Sequence, residues 1–166
     1  MATTKKTVTE TVEELNLDAK VTVRNIAGWT VGFKRIADGY GDITITPNGS
    51  TRLSRNEIIS QIQDGNRLFI GIDGKGSHAT LIIEDKATRM EVDFETDANE
   101  QVLFSDDKVK LLFDKTQNVF EKHFVNEIKT RAEKYAAMQT IKKLKLNDYA
   151  KIRFAEKYTG YKLENI

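Results

Sequence analysis

The chain has 166 residues, 39% hydrophobic and 31% charged, enough for one compact domain or a small domain with a helical appendage, and too apolar to stay disordered. Cysteine is absent, which excludes disulfides and thiolate metal sites; no 18-residue apolar run marks a transmembrane helix and Met1–Leu17 lacks the apolar core of a signal peptide, so no membrane association is expected and the expected location is the cytoplasm or a particle assembled there. The net charge of +1 hides a division, since residues 1–104 carry 12 Lys/Arg against 16 Asp/Glu and residues 105–166 carry 14 against 9.

Residues 1–18, rich in Thr, Lys and Glu, read as an arm with one weakly amphipathic run at Val8, Val12 and Leu15. From Lys20 the pattern alternates: Val21 and Val23 point one way, Thr22 and Arg24 the other, as a half-buried strand requires. Trp29, Val31 and Phe33, then Ile43 and Ile45, repeat the signal, separated by the turn-forming Asp38-Gly39-Tyr40-Gly41 and followed by Pro47-Asn48-Gly49. Ser54 followed by Glu57 is a capping-box pattern opening a short helix that ends near Asp64-Gly65. Two apolar runs, Leu68–Ile72 and Ala79–Ile83, read as a hairpin around the two glycines of Asp73–His78, and Thr88–Phe94 reads as a last strand. The polar segment Glu95–Gln101 then separates a β-rich module, residues 19–95, from a helical basic module, residues 96–166.

In that second module Ser105 is the expected cap of a short helix carrying Val109, Leu112 and Phe113. Phe120, Phe124, Ile128, Ala132 and Tyr135 predict one long helix from about Thr116 to Met138, and Asn147 or Asp148 opens a final helix that stops at Thr159-Gly160. The expected fold class is α+β: a small barrel or sandwich of SH3-like or OB-like size with one inserted helix, followed by a helical region.

No motif marks a reaction centre, and no catalytic residue, metal ligand or cofactor is expected. His78 and His123 stand apart from any nucleophile spacing and read as surface or boundary residues. Gly74-Lys75-Gly76-Ser77 lacks the spacing of a phosphate loop and reads as a turn. Asp38, Asp42, Asp64 and Asp73 each lie beside or near glycine, the ordinary chemistry of turns.

One region competes for function. Lys142, Lys143, Lys145, Lys151, Arg153 and Lys157 are interleaved with Tyr149 and Tyr158, a mixture of charge and π-surface suited to phosphate backbones or to an acidic protein surface, or to a solvated helix face whose aromatics are core. On the first module Trp29, Tyr40 and Phe69 are the candidate anchors, wherever they are exposed. The expected partners are other protein subunits, copies of this chain included, with nucleic acid as the alternative.

The Thr/Lys start Met1–Thr11, the segment Gly71–Ala79 and the Lys/Tyr-rich tail Tyr149–Leu163 together resemble, in general manner, small proteins encoded by bacterial viruses. That resemblance implies a virion or assembly component, such as a head, connector or tail accessory protein, and assigns no catalytic residue.

Overall fold

The computed structural model describes residues 13–166. Most of the expected arm, with Val8 and Val12, lies outside the described residues, and Leu15 belongs to no regular element.

Strand β1, Lys20–Asn25, buries Val21, Val23 and Asn25 and leaves Thr22 and Arg24 half-buried on the other face, as the alternation predicts. It is the centre of a three-stranded antiparallel sheet. On one side lies β4, Ser50–Ser54, with Val21 opposite Leu53; on the other lies β5, Leu81–Ile83, with Val23 opposite Ile83. Strands β2, Val31–Lys34, and β3, Asp42–Ile45, form a separate hairpin with Val31 opposite Ile45 and Lys34 opposite Asp42. The buried Asn25 side chain joins the two sheets by donating to the Trp29 and Thr46 carbonyls at 2.9 and 3.0 Å and accepting from Ala27 N at 2.9 Å.

Both sheets are open, so the architecture is mixed α+β without the expected closed barrel. The missing strands have become helices. Leu68–Ile72 is not a strand, because Asn66 caps helix α2, Arg67–Ile70, by accepting from Leu68 N at 3.1 Å, and Gly71 then turns the chain with φ 67°. Thr88–Phe94 fails for the same reason: Asp85 accepts from Thr88 N at 2.9 Å and opens α3, Lys86–Glu91. A cap decides between helix and strand where a short apolar run is ambiguous.

Helix α1, Arg55–Gln63, follows directly on β4. In the second half α4 spans Asp106–Phe113, with Ser105 as its cap, and α7 spans Tyr149–Thr159, capped by Asp148 and ended by the left-handed Gly160. The expected long helix from Thr116 to Met138 is two helices, α5 at Gln117–Glu127 and α6 at Arg131–Lys143. Thr130 and Glu133 form a reciprocal capping box that starts α6 afresh. The apolar spacing runs through the break because Phe120, Phe124, Ile128 and Ala132 are all buried in the same core.

Residues of both halves share that core: Val23, Ile58 and Phe69 belong to one buried cluster with Val109, Phe120, Phe124 and Ile141. The seam is also bonded. Arg24 Nη2 donates to the Phe104 carbonyl at 2.9 Å, and His78 Nδ1 lies 2.8 Å from Glu133 Oε1. At Gly28 a Cβ atom would stand 2.0 Å from the Tyr135 ring, so any side chain there would displace that ring. No helix among the described residues is long and apolar enough to cross a membrane.

Candidate functional site

Two surface features are built with more structure than turns and solvated helices require. The first is the tip of the β2–β3 hairpin. Gly39 and Gly41, at φ 90° and 97°, take the chain round the turn, and Tyr40 between them is fully exposed at 101%, with Ile36 at 47%. The loop is nevertheless held firmly. The carboxylate of Glu57, itself 0% exposed, accepts from three consecutive backbone donors, Ile36 N, Ala37 N and Asp38 N, at 2.9, 2.7 and 2.8 Å. Gln61 Nε2 braces both partners, donating to Glu57 Oε1 at 2.8 Å and to the Lys34 carbonyl at 2.6 Å.

Burial by itself raises the Glu57 carboxyl, but the hydrogen bonds from Gln61 and from the three loop amides outweigh it and hold the group below the ordinary glutamate value of 4.5. The Ser54–Glu57 pattern is therefore half a capping box. Ser54 Oγ accepts from Glu57 N at 3.0 Å, while the carboxylate turns away from the helix and organises the loop.

The second feature is a cleft of about 700 Å³ at the seam between β1, α4 and α6. Buried Ile26, Phe104 and Ala136 line its apolar part, and Arg24, Lys142 and Lys143 bring positive charge to it. Lys143 Nζ donates to Asp106 Oδ2 at 2.8 Å, and Thr140 Oγ1 donates to Asp106 Oδ1 at 2.7 Å. The Lys143 bond, then the Thr140 bond, holds the Asp106 carboxyl below the usual aspartate range against the opposing effect of burial. Arg24 Nε pairs with Glu84 at 2.7 Å, and Lys142 Nζ donates to the Ile166 carbonyl.

A comparison with known families, characterised proteins and solved structures finds no match. The site therefore stands on its own geometry.

The basic stretch is divided by the fold. Lys142 and Lys143 reach the cleft, and Lys145 and Lys157 are exposed on the surface. Tyr149 is 72% exposed beside Arg153, whose guanidinium lies 5.6 Å from the ring centre and donates to the phenol oxygen at 2.8 Å. Lys151 and Tyr158 are absorbed by the structure. Lys151 is buried, donating to the Phe113 carbonyl at 2.8 Å and pairing with Asp148 at 3.0 Å; Tyr158 is half-buried, donates to the Ile128 carbonyl at 2.7 Å and lies parallel to Phe154.

The three candidate anchors separate as sharply. Phe69 is wholly buried against Phe33 and is a core residue rather than an anchor. Trp29 is half-buried under the Arg131 guanidinium, 4.5 Å from its ring centre, and edge-on to Tyr135. Only Tyr40 stands clear.

His78 is fixed by Glu133, and His123 lies 3.5 Å from Glu127 on α5. In the glycine loop the amides of Lys75 and Ser77 donate to Asp73 Oδ1 at 2.8 and 3.1 Å, so these two donors face a carboxylate of the chain and not an outside anion. Among the described residues no three His, Asp or Glu side chains gather as a metal-binding group. The residues that sequence reasoning misses are Glu57, Arg24 and Asp106. Each was legible as a polar side chain on an element, but the partners that give it its role lie 19 or more residues away in the chain.

Proposed function

We propose that the protein is a non-enzymatic binding component that docks other protein subunits through the Tyr40 tip of the β2–β3 hairpin. One observation carries this reading: a fully exposed tyrosine sits on a loop that a buried carboxylate holds by three backbone hydrogen bonds. Tyrosine is a favoured anchor at interfaces, and a loop fixed before binding loses little entropy on binding. A component of a larger assembly has this need, which agrees with the resemblance to small virion proteins.

The test places a photo-crosslinking residue at position 40, with exposed Asp97 as the control position, in the cell or particle that makes the protein. Protein adducts at position 40 and none at position 97 are expected. No adduct at position 40 overturns the reading.

A second reading is nucleic-acid binding, favoured by the exposed Tyr149 beside Arg153 with Lys145 and Lys157 on the same half of the chain. An aromatic ring among cations suits stacked bases and phosphates. Affinity for generic DNA or RNA then falls linearly on a log–log plot as salt is added. Absence of binding at low ionic strength removes this reading.

A further inference from the structure

We propose that the protein associates head to tail with copies of itself, the Tyr40 tip of one copy entering the basic cleft beside α6 of the next; this rests on the reading of Tyr40 as a docking anchor. The two surfaces are complementary in charge and in kind. Tyr40 is flanked by Gly39 and Gly41 and then by the exposed Asp38 and Asp42. The cleft offers three cations, Arg24, Lys142 and Lys143, against the single acidic side chain of Asp106, together with buried Ile26, Phe104 and Ala136. A ring seated on the apolar lining brings its two flanking carboxylates to the cations, the arrangement of an anchor within a polar rim. The volume of about 700 Å³ falls within the roughly 300–1,000 Å³ of cavities that enclose a ligand, ample for one tyrosine and its turn.

The cations already have partners: Glu84 for Arg24, the Ile166 carbonyl for Lys142 and Asp106 for Lys143. Lys143 is 71% exposed although it pairs with Asp106, and an exposed ion pair contributes little. Lys143 can therefore share a second carboxylate without a large penalty.

The tip lies outside its own cleft, since Tyr40 is fully exposed and is not part of the lining. Asn25, which lines the cleft, donates to the carbonyls of Ile45 and Thr46 at the base of the hairpin, whereas Tyr40 lies beyond the last pair, Lys34 opposite Asp42. Three strand steps of about 3.3 Å each separate Val31 from Lys34, and the bonds to Glu57 keep the loop from folding back. The contact is therefore between copies. Because knob and socket are different surfaces, one such contact leaves a free cleft on one copy and a free tip on the other; these either propagate into a ring or an open filament, or meet each other and close a two-fold dimer.

Sedimentation velocity of the full chain over a concentration series tests this. Reversible, concentration-dependent association beyond the monomer is expected, weakened by added salt. Tyr40→Ala and the pair Lys142→Glu with Lys143→Glu should each weaken it by about 30-fold or more, as loss of an interface hot spot does. Mixing these two variants should give a dimer that grows no further, because each contributes the one surface the other has lost. A wild-type chain that stays monomeric throughout, growth that both variants leave intact, or a mixture that stays monomeric overturns the proposal. Circular dichroism checks that the variants fold, and Lys142→Gln with Lys143→Gln replaces the charge reversal if it does not. A monomeric chain whose position 40 crosslinks to a different protein overturns self-association and leaves the docking reading standing; a chain with neither property overturns both.

Discussion

At Glu57 a buried charge is stable because of the number of donors aimed at it. A carboxylate without partners in the interior is costly, but three amides and the Gln61 side chain surround this one. Glu57→Gln keeps the shape and removes the charge, and should cost about 2 kcal/mol, the scale of hydrogen bonds to a charged group, measured by urea denaturation at pH 7. The pH dependence has a definite sign. The folded-state carboxyl titrates below its ordinary value of 4.5, so its contribution is complete above that value and is lost as the pH falls through the lower, folded value. The gap between wild type and Glu57→Gln should therefore narrow on acidification below about pH 4.5. A gap that stays constant to pH 3 would show that the charge contributes nothing. The sequence marked Ser54 and Glu57 as a cap, and Ser54 fulfils it; the carboxylate's actual partners, Ile36 to Asp38, lie about 20 positions earlier, where no local pattern reaches.

At the scale of elements, apolar spacing located β1 and α7, but neither strict alternation, as at Met90, Val92 and Phe94, nor length, as from Phe120 to Tyr135, was enough to settle an element. It failed where caps outweighed spacing. Asn66, Asp85 and Thr130 each accept from a backbone amide two or three residues on, and each starts a helix that the apolar pattern alone assigned to a strand or to the middle of a longer helix. Thr130-x-x-Glu133 was readable as a capping box, but the four-residue repeat from Phe120 to Ala132 concealed it. Thr130→Ala should destabilise the protein by about 1 kcal/mol, read from the midpoint of urea unfolding. Glu133 makes this cap more than a local device, since the same carboxylate lies 2.8 Å from His78 across the seam. A variant with unchanged stability would mean that the start of α6 is fixed by packing alone.

For the whole molecule the shared core is decisive. Buried side chains of β1, α1 and α2 belong to one cluster with those of α4, α5 and α6, and a single shared core of this kind favours unfolding as one cooperative unit, as in most single domains slightly smaller than this. The single tryptophan, Trp29, sits at the seam between Arg131 and Tyr135, whereas most of the helical signal arises from the second half. Unfolding followed by tryptophan fluorescence and by far-ultraviolet circular dichroism should coincide. Two separated transitions would show that residues 19–95 and 96–166 are independent units.

The sequence alone determined the class of the molecule: an α+β chain without cysteine, acidic before Phe104 and basic after it, with its strands early and its longer helices late. These are properties of composition and of short-range periodicity, and they need no knowledge of which segments meet. Only the tertiary structure decided that Phe69, Lys151 and Tyr158 serve the interior and that Tyr40 stands alone on a braced loop. It also decided that Arg24 reaches the cleft of Lys142 and Lys143. Exposure and pairing depend on contacts between residues far apart in the chain, and the energy of such contacts is written in no single stretch of it.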